Sequence, residues 1–233
     1  MYLDELTSKE FKRRVGPKSV VIWPIGAVEE HGPHLPLNTD SVQPEWVARE
    51  VAKMTGALIA PPFRFGNCGA TSKFPGTISL SFDALRAVAY DVVSELARNG
   101  FKRIVVLSGH AGRLHMAALR AAAEKVVAEK DVKIMVLSDY DIAYAMKDPD
   151  IPADDGHAGM IETSRTMAIV PKLVKAGKPK AFSPKFPPYQ VLRDHSPYFP
   201  EGYHGDPRKA SAGKGREFNR FIAKELARLV KEM

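Results

Sequence analysis

The chain has 233 residues, enough for one large α/β domain or, less readily, two small ones. With 45% apolar and 26% charged residues it has the balance of a globular protein with a substantial core, and no apolar run is long enough to cross a bilayer. Its net charge of +7 favours anionic partners, but Lys and Arg are scattered rather than gathered into a tract, so the charge is read as a solvated surface and nucleic-acid binding is not expected.

The first 14 residues are charged and lack an apolar signal core, which predicts a cytoplasmic protein. Residues 19–25, rich in Val and Ile, form the first predicted strand. This strand runs into Glu29-Glu30-His31-Gly32-Pro33-His34-Leu35-Pro36-Leu37-Asn38-Thr39-Asp40. Residues 45–54 are expected to be helical, with Gly56 as the stop, and 58–60 form a short strand before Pro61-Pro62. Phe74-Pro75-Gly76-Thr77-Ile78 reads as a turn leading into another short strand. Ser81 is an N-cap for a helix over 82–99, whose Leu85, Val88, Ala89, Val92, Val93 and Leu96 share one face. A strand over 102–107 leads into Ser108-Gly109-His110-Ala111-Gly112, and an alanine-rich helix follows over 114–129. The strand at 132–137 is the last clear one. Beyond residue 140 the chain is rich in turns, until an amphipathic helix over 215–233. No repeat or composition shift divides it, so 1–233 is read as a single domain. Strands alternating with helices imply parallel crossover units and a three-layer α/β/α fold around a mostly parallel sheet. Such sheets bind ligands beyond the carboxyl ends of their strands. The Glu29–Asp40 stretch and His110 both follow strands, so the topology brings them to one edge.

Three clusters carry chemistry. Carboxylate and imidazole side chains form the usual ligand set of zinc, iron or manganese, and Glu29 and His31 are spaced to share one face of an extended segment. The competing reading of this stretch is a solvated loop with salt bridges. His110, between glycines that allow close approach of a ligand, is a further ligand candidate. His115 is expected to be a partly exposed surface or packing residue. In Asp154-Asp155-Gly156-His157-Ala158-Gly159-Met160-Ile161-Glu162, His157 is suited to proton transfer, and Glu162 to binding metal or orienting water. An acidic helix start that complements the macrodipole is the alternative there. Asp206 needs to be no more than a helix cap. The only cysteine, Cys68, excludes an internal disulfide and any thiolate-rich zinc site.

These motifs resemble the creatininase family of creatinine amidohydrolase-like proteins. The resemblance rests on Pro24-Ile25-Gly26-Ala27-Val28-Glu29-Glu30-His31-Gly32-Pro33-His34-Leu35-Pro36 through Asp40, on Phe74-Pro75-Gly76-Thr77, on Gly109-His110-Ala111-Gly112, on His157-Ala158-Gly159 with Glu162-Thr163-Ser164, and on Gly205-Asp206-Pro207. It implies a layered α/β/α fold and one or two divalent ions, with Zn, Fe and Mn as the candidates. It also implies hydrolysis of a C–N amide bond in a small molecule, and a ring-like homo-oligomer such as a hexamer. By motif position Glu29, His31, Asp40 and His110 are the metal ligands, Asp40 bridging. His157 handles protons and Glu162 is a neighbouring functional carboxylate. His34, Thr77 and Arg113 are the candidate substrate contacts.

The chain departs from the family pattern where it matters for substrate. Gly112 stands where creatininase itself has a metal-binding glutamate. Ser108 and Arg113 replace two Asn, and Cys68, Ala70 and Thr71 replace a Ser and a Glu-His pair. These departures argue against creatinine and toward the formamidopyrimidine-nucleotide deformylase branch of flavin and deazaflavin biosynthesis, whose phosphorylated substrate suits Arg113 and the basic balance. The alternatives are a peptidase acting on a redox-cofactor precursor peptide and a metal-binding protein without catalysis.

Overall fold

Apolar side chains alternate along the two central strands, and this alternation organises the molecule. The computed structural model describes residues 1–146, 148–177 and 179–233. Its sheet comprises β1 (Val20–Ile25), β2 (Leu58–Ile59), β3 (Arg103–Ser108) and β4 (Lys133–Ser138), all parallel, in the order β2-β1-β3-β4. Val21, Trp23 and Ile25 of β1, with Ile104 and Val106 of β3, face one side, while Ile22, Val105 and Leu107 face the other. Strands buried on both faces need a helical layer on each. One layer holds α1 (Ser8–Arg14), α3 (Phe82–Arg98) and α4 (Arg113–Glu129). The other holds α2 (Thr39–Thr55), α5 (Asp139–Ala143), α6 (Met160–Ile169) and α7 (Ala212–Glu232). The expected three-layer α/β/α fold is the observed one.

Several boundaries differ from expectation. The helix expected at 45–54 begins at Thr39, so Asp40 sits in the first turn of α2 rather than in a loop. Pro44 lies inside that helix and has no N–H to offer the Asp40 carbonyl. Gly26 and Gly109 crowd that carbonyl instead: a Cβ on either would come within 2.6 and 2.1 Å of it. The strand expected after Phe74-Pro75-Gly76-Thr77 is reduced to single bridges, Val28 with Ile78 and Gly66 with Ser79. The C-terminal helix begins at Ala212, capped by Ser211, and Asp206 caps only the short turn Pro207–Lys209. No helix among the described residues is long and apolar enough to cross a membrane.

Candidate active site

Strand order places the site. From β1 the chain crosses to β2 on one side and returns past it to β3 on the other, which opens a crevice beyond the ends of β1 and β3. Ile25 and Ser108 pair at those ends. The loop after β1 delivers Glu29 and His31, the first turn of α2 delivers Asp40, and the turn after β3 delivers His110. Glu162 comes from the first turn of α6.

Asp40 is the centre of the arrangement. Its Oδ1 is 3.0 Å from His31 Nε2, and its Oδ2 is 3.0 Å from His110 Nδ1. Glu162 Oε2 approaches the same His31 nitrogen at 3.6 Å, and Glu29 Oε2 approaches the same His110 nitrogen at 2.9 Å. The far ring nitrogens face backbone carbonyls, His31 Nδ1 at 3.0 Å from Glu29 and His110 Nε2 at 2.9 Å from Asn67. A carbonyl only accepts, so these nitrogens carry the hydrogen, and in a neutral ring the nitrogens turned toward Asp40 hold lone pairs. Ligand atoms of His31, Asp40 and Glu162 lie within 4.8 Å of one another, as do those of Glu29, Cys68 and His110, and those of Glu29, His31 and His157.

The charge balance is one-sided. Glu29, Asp40 and Glu162 are 3%, 2% and 5% exposed, so water screens them little. Burial works to raise all three carboxyl pKa values, but the facing imidazoles outweigh it and hold them down, Glu162 at about 2. Burial likewise opposes charge on His31 and His110, yet Asp40 and Glu162, and Glu29 and Asp40, keep their pKa values well above the usual histidine range. Glu29 Oε2 and Asp40 Oδ2 are buried and share one neighbour, His110 Nδ1, which has at most one hydrogen to give and so leaves at least one of them unsatisfied. Converging lone pairs and orphaned buried carboxylate oxygens are what a divalent cation satisfies. By contrast, Cys68 has its pKa pushed up, first by burial and then by Glu29 and Asp40.

His157 stacks on His31 with ring centroids 4.2 Å apart, and its Nε2 lies 2.7 Å from the Glu30 carbonyl, which leaves Nδ1 as the basic nitrogen of the neutral ring. The Tyr140 hydroxyl lies 2.7 Å from Glu162 Oε1 and 2.7 Å from Gln43 Oε1. The other Glu162 oxygen accepts the Ala158 N–H. Ala158 has a φ of 53°, a left-handed conformation costing about 1 kcal/mol that sets its amide next to Glu162. Thr71 donates to Glu29 Oε1.

Of the three expected substrate contacts, Arg113 lines the cavity over the site, a space of about 560 Å³. His34 is not brought there: it is fully buried and bonds the Thr163 hydroxyl at 2.8 Å, because the Pro33–Pro36 turn carries it inward. Thr77 is not there either, and its hydroxyl accepts the Glu30 N–H at 3.0 Å. His115, expected to be a partly exposed surface or packing residue, is wholly buried between Ser108 and Asn67, and its pKa is held down at about 3, by burial first and then by His110. Sequence reasoning missed Tyr140, Asn67 and the cavity residues Tyr144, Phe186, Phe199 and His204. Only Tyr140 had a usable signal, since it follows a strand as the ligand loops do. A larger apolar groove of about 740 Å³ beside α1 and α3 offers only Asp91 and Glu95 as ionisable groups and lacks comparable chemistry.

The chain is similar to known proteins in sequence and fold. The creatininase family profile, described as creatinine amidohydrolase, matches residues 4–230. The chain is 34% identical over 218 residues to a creatinine amidohydrolase of Pseudomonas putida, covering 82% of this chain and 81% of that protein. It is 32% identical over 211 residues to a mycofactocin precursor peptide peptidase of Mycobacterium ulcerans (strain Agy99), covering 84% and 78%. Among solved structures, a manganese creatininase superposes with a TM-score of 0.91 at 29% identity over 99% of this chain and 97% of that one. A Zn-Zn type creatininase mutant superposes with a TM-score of 0.88 at 29% identity, again over 99% and 97%.

Proposed function

This chain belongs to the creatininase family, and from that premise we propose how it acts as a metal-dependent amidohydrolase and on what class of substrate. The observation that carries the reading is the pair of donor sets sharing Asp40, which opens on a single cavity. His31, Asp40 and Glu162 would hold one ion, and Glu29, Asp40 and His110 a second, so that Asp40 would serve both. The donor chemistry fits zinc, manganese or iron, and the creatininases it resembles include a manganese form and a Zn-Zn type. Glu162 thereby takes the place of the carboxylate that Gly112 does not supply.

A divalent ion bound there supplies positive charge that polarises an amide carbonyl and brings the ionisation of water near neutrality. The protein does the rest. His157, anchored through Nε2–H on the Glu30 carbonyl, offers Nδ1 to take a proton from the attacking water and return it to the leaving nitrogen. Tyr140 and the Ala158 amide fix both oxygens of Glu162. Tyr144, Phe186 and Phe199 wall the cavity with aromatic faces, and Arg113 and His204 add basic groups. A flat amide with an anionic tail matches that lining, which supports a formamide or cyclic amide, and a formamidopyrimidine nucleotide in particular. A second reading, cleavage of a precursor peptide, is supported by the likeness to the mycobacterial peptidase.

The test begins with metal analysis of anaerobically purified protein beside Asp40→Ala. One or two equivalents of metal, lost in the variant, are expected. Turnover is then measured with formamidopyrimidine nucleotides, cyclic amides and peptides. His157→Ala should keep its metal and lose about 10²- to 10⁴-fold in kcat. Protein that neither holds nor takes up metal would overturn the mechanism, and full turnover by His157→Ala would overturn the proton-transfer role.

A further inference from the structure

Counted around Asp40, the donors divide unevenly. On the His31 side stand two imidazole and carboxylate partners, His31 and Glu162, and the space beyond them is the cavity. On the His110 side stand Glu29, His110 and one more atom, the sulfur of Cys68, which lies within 4.8 Å of donor atoms from both. Cys68 is 2% exposed and is not part of the cavity wall, which passes through Ala70 and Thr71 instead. Its thiol is therefore placed behind the site rather than toward a substrate. The neighbouring backbone is pinned: the Cys68 N–H donates to Ser79 Oγ at 2.9 Å, and the preceding carbonyl, of Asn67, orients His110. Two further atoms point to a ligand here. Glu29 Oε2 and Asp40 Oδ2 are buried and both face His110 Nδ1, at 2.9 and 3.0 Å, which has at most one hydrogen to give and so leaves at least one of them unsatisfied.

We propose that Cys68 is a thiolate ligand of the ion on the Glu29 side, so that the centre is asymmetric. That ion would have four protein donors, Glu29, Asp40, His110 and Cys68, in the closed arrangement of a structural site. The ion on the His31 side would have three, leaving a position open to the cavity, as catalytic sites do. On coordination the S–H bond breaks, its proton leaves to solvent, and the sulfur electron pair forms the bond to the metal. The inference rests on the metal centre proposed above and assigns a new role within it. One soft sulfur donor would favour zinc or cobalt over manganese on that side.

The test is reconstitution of the metal-free full chain with cobalt(II), for wild type, Cys68→Ser and Cys68→Ala. Bound cobalt is counted by elemental analysis, and the near-ultraviolet absorption is recorded. A thiolate-to-cobalt charge-transfer band is expected in wild type. Both variants should lose it, while the serine variant keeps cobalt in the His31-side site. Cobalt bound by wild type without the band would overturn the cysteine ligand and leave the metal centre standing. A band that survives in both variants would equally overturn it. No cobalt bound by wild type would overturn the metal centre itself, and the cysteine ligand with it.

Discussion

Tyr140 stands between two clusters of buried charge. On one side its hydroxyl meets Glu162 among three carboxylates and three imidazoles. On the other its ring lies 5.0 Å from the Arg165 guanidinium, which bonds Asp139 at 2.5 Å and Asn219 at 2.9 Å, with both charges fully buried. The second cluster carries its own permanent cation. The first has only imidazoles, whose charge depends on the acids around them. The fold thus builds in a guanidinium where the charge is structural and leaves the positive charge to be supplied at the cluster we propose as the metal centre. Burial alone does not distinguish a catalytic cluster from a scaffold.

The sharpest way to break that comparison is to remove the built-in cation. Arg165→Met leaves Asp139 buried without its partner and should cost about 3–5 kcal/mol in urea unfolding, with most of that loss recovered when Asp139 is made apolar as well. The catalytic side should respond to metal instead. Saturating metal, at about a thousandfold over its Kd, should raise unfolding free energy by about 4 kcal/mol relative to chelated protein, and Arg165→Met should keep that increment. Equal stability with and without metal would remove the distinction between the clusters.

Tyr140→Phe probes the boundary. It deletes the hydroxyl that faces Glu162 while sparing the ring beside Arg165, so metal affinity should fall about 10- to 100-fold in a competition titration, with stability of the chelated protein changed far less. The smallest effect concerns Asp155, whose carboxylate accepts the Met160 and Ile161 N–H groups at the start of α6. Burial raises its pKa from 3.8 to about 6. The folded protein therefore binds the extra proton, and this contribution to stability is complete below 3.8 and lost as pH rises through about 6. Asp155→Asn should flatten the stability profile of chelated protein across that window, as read from urea midpoints. An unchanged slope would mean that the folded pKa is not raised.

Much of this was legible in the chain, because local patterns encode local structure. The valine- and isoleucine-rich runs at β1 and β3 and the face of α3 follow directly from side-chain periodicity. Glu29, His31 and Asp40 were legible as one cluster because they lie in a single short stretch, and the resemblance to the creatininases rests largely on that stretch. His34 lies in the same stretch, but the turn carries it into the interior to bond Thr163, which the local pattern does not show.

By itself the sequence determined the alternation of strands and helices, the family and the residue types of a metal centre. Tertiary structure alone decided that Asp40 presents one oxygen to His31 and the other to His110, and that Glu162 rather than position 112 faces His31. It also decided that Tyr140, Asn67 and Cys68 stand behind these groups. The physical reason is that these contacts join segments far apart in the chain. Their meeting depends on the strand order β2-β1-β3-β4 and on where the returning helices pack, and neither is encoded in the periodicity of any one segment.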